Sequence, residues 1–372
     1  MSQASQKRTG PVGVGIVGAG VISKEYLTNL SAFPDLRVLF IADLDQERAA
    51  AQAEAWDVPG HGSYEELLAH QDIEIVVNLT IPAVHVEVAL QAVAAGKHVW
   101  GEKPYALDME SARQLKEAAD AAGVRVAVAP DTFLGAAVQN ALREIRSGAI
   151  GTPLTGLTLF MVPGPDSWHP NPEFLFGRGA GPLFDVGPYY LTALVQIFGP
   201  VSRVAATASQ ARPVRVIGSG PRAGTEFPVE VPTHTSVLIE FASGASAQSV
   251  FSFDSAVPRS GFFEVAGPHG TVTVPDPNFF NGETTVHTAP EENRTVPVEG
   301  PSYGRGLGVL ELARAVRSGA PGRAPGELAL HVLEVMVAST QAAETGEFVE
   351  VSSRVEPSEL LDPSWDPTEQ TL

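Results

Sequence analysis

The 372-residue chain has no cysteine, so it carries no disulfide, no thiolate nucleophile and no thiolate metal site. Lysine is almost as scarce, being confined to Lys7, Lys24, Lys97, Lys103 and Lys116. With 24 basic against 43 acidic residues the formal charge is -19. A nucleic-acid partner is therefore not expected, because phosphate backbones are bound by clustered Lys and Arg. No apolar run approaches the roughly 20 residues of a membrane span. Lys7 and Arg8 precede an apolar stretch at 11–22 that imitates a signal peptide, but the stretch is glycine-rich and ends without a small-residue cleavage site. The expectation is a cytoplasmic protein with neither membrane nor nucleic-acid partners. No spacing of His and carboxylates suggests a metal site, and no nucleophile elbow is found.

What is present is an ordinary globular composition, 44% hydrophobic and 18% charged, long enough for two domains. Short apolar runs at 12–17, 37–42, 74–79, 98–100 and 125–129 read as buried strands. They alternate with helical stretches at 21–33, 46–56, 84–95 and 108–122. That rhythm predicts a doubly wound parallel sheet over residues 1–131. The pattern then changes. A helix at 136–146 and a strand at 154–161 lead to a loop dense in Pro and Gly at 163–181, then to a helix reaching 198. Strand-like runs at 201–208, 235–241, 245–253, 262–266 and 271–274, separated by turn residues, predict an antiparallel meander. Helices at 308–317 and 325–344 close an α+β domain spanning 132–355, and the acidic, proline-containing segment 356–372 is expected to be loosely held.

The first strand runs into Gly18-Ala19-Gly20-Val21-Ile22-Ser23, a G-x-G-x-x-S turn before a helix. Gly18 permits the tight turn and Gly20 lets the backbone approach a pyrophosphate at the helix N-terminus. The third position needs only a small residue, which Ser23 supplies. Asp43 ends the second strand about 20 residues on, where an acidic side chain accepts hydrogen bonds from an adenosine ribose. Its charge repels a 2′-phosphate and no Arg immediately follows, which favours NAD over NADP.

This turn, Asp43, Thr80-Ile81-Pro82 with His85, Gly96-Lys97-His98-Val99 and above all Glu102-Lys103-Pro104 resemble the glucose–fructose oxidoreductase/inositol dehydrogenase (Gfo/Idh/MocA) family. The resemblance spans roughly residues 12–350. It implies a Rossmann domain followed by a domain with a large open sheet that serves as a subunit interface, hence a homodimer or homotetramer. The implied activity is NAD(H)-dependent oxidation or reduction of a sugar, cyclitol or related polyol. Gly18, Gly20, Val21, Ile22, Asp43, Thr80, Pro82, His85, Glu102 and Lys103 would then face the cofactor. Lys103 would also polarise the reacting hydroxyl, since an ammonium stabilises the alkoxide that forms as hydride leaves.

The family's second motif, an aspartate followed four residues later by a histidine, is matched by Asp185 and departed from at Tyr189. On a helix the two share a face, and a Tyr189–Lys103 pair is one acid/base device; His169, in Trp168-His169-Pro170, is the rival base. Trp168, His169, Asp185, Tyr189 and Arg305 are the candidate substrate contacts, with an ion pair the alternative for Arg305. His85 either contacts nicotinamide or caps its helix. His331 and Glu334 sit among apolar helical neighbours and read as structural. Two other modes remain open: an enzyme whose cofactor never leaves between two sugar substrates, and a non-catalytic NAD(H) sensor.

Overall fold

The computed structural model describes residues 9–289, 292–300 and 303–372; Lys7 and Arg8 lie outside the described residues. Strand β1 (Val12–Val17) is buried at all six positions and forms the centre of the first sheet. The series continues through α1 (Val21–Leu30), β2 (Leu36–Ala42), α2 (Gln46–Ala55), β3 (Gly60–Gly62), α3 (Tyr64–Ala69), β4 (Ile75–Asn78), α4 (His85–Ala94), β5 (His98–Gly101), α5 (Met109–Ala122) and β6 (Val126–Val128). The six strands are parallel in the order β3-β2-β1-β4-β5-β6. Chain order reverses between β1 and β4, which opens a crevice at their carboxyl ends. Strand β3 and helix α3 were not legible in the sequence: three residues, two of them glycine, carry no strand periodicity.

The second half contains α6 (Ala136–Arg146), β7 (Thr155–Met161), α7 (Gly181–Phe198), β8 (Val201–Ser209), β9 (Val214–Val216), β10 (Glu226–Pro228), β11 (His234–Phe241), β12 (Ser246–Ser252), β13 (Arg259–Gly267), β14 (Gly270–Thr273), β15 (Thr284–Ala289) and β16 (Glu292–Val296). Helices α8 (Leu307–Ser318) and α9 (Gly326–Thr345) and the short β17 (Val349–Glu350) follow. Among the described residues nine strands form one open sheet in the order β16-β15-β14-β13-β7-β12-β11-β8-β17, while β9 and β10 pair separately. The sheet is mainly antiparallel as expected, but it is not a pure meander, because β7 and β12 run parallel. Alternation along β7, β11, β12 and β13 turns one face inward, toward α7 at β7, β11 and β12, and leaves the other open, where Leu157, Leu238 and Phe262 stand exposed.

The terminal segment corrects the expectation of a loose tail. Asp35 accepts hydrogen bonds from the Thr371 amide (2.8 Å) and hydroxyl (2.7 Å) and from the Leu372 amide (2.9 Å), and it pairs with Arg314 at 2.8 Å. Trp365 lies under the Arg314 guanidinium, and the Leu361 amide donates to Gln139. A buried carboxylate needs donors, and the tail supplies them. No helix among the described residues is long and apolar enough to cross a membrane.

Candidate active site

The glycine turn between β1 and α1 is built for close approach. Gly18 has φ +99, and a Cβ there would meet the Leu79 carbonyl at 2.7 Å, so no other residue fits without a shift. Gly20 faces open space and is the N-cap of α1, with no side-chain cap and no acidic residue in the first turn. The helix N-terminus is therefore free to receive an anion. Ser23 is fully buried, donates to the Gly20 carbonyl at 2.7 Å and accepts from Gln52, so it locks the turn from behind. Beside the turn a 720 Å³ groove is lined by Ala19, Gly20, Val21, Lys24, Arg48 and Trp56, among others. Val21, which lines the groove, is 88% exposed, and Leu44 and Ile81, just beyond β2 and β4, are exposed as well.

Asp43 accepts from the Ala19 amide at 2.7 Å and the Asp45 amide at 2.9 Å, which fixes it beside the glycine turn. One turn into α2, the Arg48 guanidinium comes within 3.9 Å of Asp43 while bonding Asp45 at 3.0 Å. Arg48 lies five residues beyond Asp43 in the sequence, and only the turn of α2 brings its charge beside the carboxylate. A nicotinamide dinucleotide fits what is here: a Cβ-free cradle, an uncapped helix start, a carboxylate for ribose and a groove lined in part by Val21 and Trp56.

His85 neither caps α4 with its side chain nor points outward. It is buried, with Nδ1 3.0 Å from the Pro104 carbonyl and Nε2 3.0 Å from the Thr80 carbonyl, and so braces the Thr80-Ile81-Pro82 turn against the Lys103-Pro104 turn. Thr80 is further held through Asn78, which accepts from its amide and hydroxyl. Glu102 is turned inward. One carboxylate oxygen accepts from Tyr26 at 2.8 Å, the other from the Lys103 amide at 3.2 Å, and Trp100 donates to Tyr26. Burial pushes the Tyr26 phenol well up, so it stays a donor to Glu102.

Lys103 projects from the turn after β5 onto α7. Its ammonium donates to the Asp185 carboxylate at 2.6 Å and the Asp185 carbonyl at 2.7 Å, and lies 5.6 Å from the centre of the Tyr189 ring. An ammonium has three donors, so one is left for a ligand. Burial alone would lower the Lys103 pKa, but the Asp185 carboxylate, followed by Tyr189 and Glu102, outweighs it and the net shift is upward. The side chain is thus a fixed cation and not a proton-releasing base. Pro188 lies within α7 and removes the amide that would bond the Phe184 carbonyl, yet the helix runs through it. Asp185 and Tyr189 accordingly reach Lys103 from one face.

The cation at the tyrosine hydroxyl is Arg305. Its guanidinium donates to the Tyr189 hydroxyl at 3.1 Å and lies 3.9 Å from Glu102. Arg305 thus serves as a donor and closes a loose ion pair at once. Asp131, not noticed in the sequence, anchors the start of α8 by accepting from the Gly306 and Gly308 amides.

The loop at 163–181 carries Trp168, 66% exposed, whose ring meets His169 edge to face; His169 in turn meets Phe174, and its Nδ1 accepts from the Asn171 amide. Among the described residues no hydrogen bond or ring contact joins His169 to Lys103, Asp185 or Tyr189. The loop is tied down by the fully buried Arg215 of β9, which bonds Asp166, Asp254 and the Pro163 and Phe253 carbonyls. His331 and Glu334 are structural, as read from sequence. His331 accepts from the Val201 amide, and Glu334 accepts from the Ser352 and Ser353 amides.

A doubly wound sheet with this glycine cradle, and a fixed lysine beside a tyrosine at its mouth, defines a dinucleotide-dependent oxidoreductase. Residues 12–130 match the oxidoreductase family with an NAD-binding Rossmann fold, and residues 138–273 match the GFO/IDH/MocA C-terminal domain. The chain belongs to the GFO/IDH/MocA oxidoreductases. It is 28% identical over 269 residues to mouse (Mus musculus) trans-1,2-dihydrobenzene-1,2-diol dehydrogenase, covering 70% of this chain and 73% of that protein. It is 27% identical over 348 residues to a D-xylose 1-dehydrogenase (NADP(+)) of Haloferax volcanii, covering 91% of this chain and 99% of the relative. The structure of levoglucosan dehydrogenase with NADH and L-sorbose superposes with a TM-score of 0.81 at 23% identity, over 93% of this chain and 100% of that one, a likeness of fold.

Proposed function

We propose that this protein is an NAD(H)-dependent dehydrogenase or reductase that acts on a hydroxyl or carbonyl group of a sugar, cyclitol or related polyol. The observation that carries the reading is the Lys103 ammonium, held by Asp185 through two hydrogen bonds with its third donor spare, beside a tyrosine whose hydroxyl is bonded by Arg305. The relatives named as diol and sugar dehydrogenases support the substrate class.

A bound nicotinamide cofactor, held by the glycine turn and Asp43, would supply or accept the hydride. Lys103 donates its free N–H to the substrate oxygen and stabilises the charge that builds there. Tyr189 exchanges the hydroxyl proton at that oxygen, with Arg305 bonding its own oxygen as the phenolate forms. Asp185 keeps Lys103 aimed and charged. We favour Tyr189 over His169 as acid/base because Tyr189 shares the Lys103 cluster. Trp168 and Phe174 offer apolar faces for a sugar ring. Lys103 and Arg305 are already paired with Asp185 and Glu102, and the chain is strongly acidic, so neutral substrates fit better than phosphorylated ones.

Asp43 beside the glycine turn supports NAD; Arg48 is the group an NADP reading would use, and its present bond to Asp45 weighs against that. The open face bearing Leu157, Leu238 and Phe262 supports a homo-oligomer assembled through the large sheet. We also divide the chain at residue 131 into cofactor and substrate domains. The test is NADH formation, followed by absorbance, across inositols, aldoses, anhydrosugars and glycosides. Turnover with at least one supports the reading. Silence across the panel with NADH still bound would overturn it in favour of a tightly held cofactor or a sensor.

A further inference from the structure

Asp131 lies just beyond β6 and is fully buried. Its Oδ2 accepts from the Gly306 amide at 2.9 Å and the Gly308 amide at 3.1 Å, at the start of α8. An anion is well placed there, since the unpaired amides of a helix start carry partial positive charge. Gly306 directly follows Arg305, so the carboxylate grips the turn from which Arg305 reaches Tyr189 and Glu102. The other Asp131 oxygen, Oδ1, and the Arg305 Nη1 are both buried without a hydrogen-bond partner, Nη1 having only the 3.9 Å approach of the Glu102 carboxylate. A buried acceptor and a buried donor without hydrogen bonds, on groups that interact electrostatically, are suited to one bridging water or to closure on each other.

We propose that Asp131 is a positioning residue for Arg305 and that, through Arg305, it sets the hydrogen bond to the Tyr189 hydroxyl during turnover. The inference rests on the reading of Tyr189 as the acid/base. Neither strand period nor motif marks Asp131; only the fold brings it to a turn 175 residues away.

The charged and titratable groups facing Asp131 are Arg305 from the turn before α8, Glu102 from the turn after β5, and Tyr26 from α1. Burial pushes the Asp131 carboxyl up to about 6 against the opposing pull of the Gly308 amide, Arg305 and the Gly306 amide, with Glu102 adding to the rise. The unfolded chain takes up this proton only near 3.8. Between those values, falling pH therefore stabilises the fold on account of this group while it weakens the anchor of Arg305. Activity and stability move in opposite directions, which a merely structural carboxylate would not produce.

The test is Asp131→Asn, which keeps the shape and removes the charge. The expected result is a kcat lower by about 10- to 100-fold, as a small misplacement at the reacting centre produces. The Kd for NADH should stay within about twofold, and the acid limb of the kcat profile near pH 6 should disappear. On an Arg305→Met background the same substitution should cost nothing further, because its effect passes through Arg305. Unchanged kcat in Asp131→Asn, or full additivity with Arg305→Met, overturns the proposal. If Asp131→Asn does not fold, the acid limb of the wild type decides: its persistence in Arg305→Met overturns the proposal and its loss supports it. Should the wild type turn over no polyol, the dehydrogenase reading has failed separately. Exchange of the Arg305 guanidinium protons by NMR then decides for Asp131. Faster exchange in Asp131→Asn supports the anchor, and equal exchange overturns it.

Discussion

Arg305 donates to the Tyr189 hydroxyl at 3.1 Å across 116 residues of sequence, whereas Lys103 lies over the ring and spends two of its donors on Asp185. The two cations therefore divide the work at one tyrosine. Tyr189→Phe keeps the ring surface and loses the proton. It should lower kcat by about 10²- to 10⁴-fold and leave the Kd for NADH unchanged. Arg305→Met should lower kcat less, by about 10- to 100-fold. His169→Ala should change KM more than kcat. Steady-state kinetics on the three variants check this, and a kcat loss in His169→Ala alone would move the proton exchange to His169.

Cofactor choice rests on Asp43 and Arg48. A unit-charge repulsion at about 4 Å is worth roughly 4 kcal/mol at an effective dielectric near 20, and less at a partly exposed site. Asp43→Ser should lower the NAD-to-NADP ratio of kcat/KM by at least about tenfold. KM should rise for both cofactors, because the Ala19 and Asp45 amides lose their acceptor. An unchanged ratio would mean that Asp43 does not read the ribose.

The docked C-terminus makes a stability prediction. Burial raises the Asp35 pKa, but hydrogen bonds from Thr371, Arg314 and Leu372 outweigh it and hold the carboxyl below its ordinary range. That contribution is present above about pH 4 and is lost as pH falls through the lowered folded value. Removing Thr371 and Leu372 takes away three donors and should destabilise the protein by about 2 kcal/mol at neutral pH. Denaturant midpoints for the shortened and full chains measure this.

Acid sensitivity should come from the helix that carries His331 and Glu334. Burial pushes His331 down to about 4 from 6.5. Burial would raise Glu334, but hydrogen bonds from Ser352 and Ser353 bring it to about 2 from 4.5. Each group binds fewer protons folded than unfolded, so stability falls with pH, first between 6.5 and 4 for His331 and then between 4.5 and 2 for Glu334. Each difference is worth at most about 3 kcal/mol. His331→Asn should flatten the upper part of the curve of unfolding free energy against pH. Asp131 acts in the opposite sense below about pH 6 and should make the wild-type curve shallower there.

Much of the cofactor half was legible because its signals are local. The apolar run of β1, the two glycines and Asp43 lie within one βαβ unit, whereas Asp185 and Tyr189 were marked only by the resemblance to the family's second motif, helical spacing then placing them on one face. What escaped notice depends on long-range geometry. Arg305 meets Tyr189 across 116 residues within the second domain, and Asp131 meets Gly306 across 175 residues between the two, so neither contact shows in local sequence. Arg48 nears Asp43 because a helix turn intervenes, so adjacency in sequence was the wrong criterion. The parallel pairing of β7 with β12 leaves no mark on alternation, which is the same in either direction. Polarity and prolines made the tail resemble a loose end, although its amides complete a buried carboxylate.

The most direct test of the central claim is kcat for Lys103→Met against the wild type on the best polyol substrate, with the Kd for NADH measured in parallel. The account predicts a loss of at least about 10³-fold in kcat with cofactor binding intact, since the ammonium at the reacting oxygen is removed and nothing of the glycine cradle is touched. A Lys103→Met protein that turns over at the wild-type rate would contradict it.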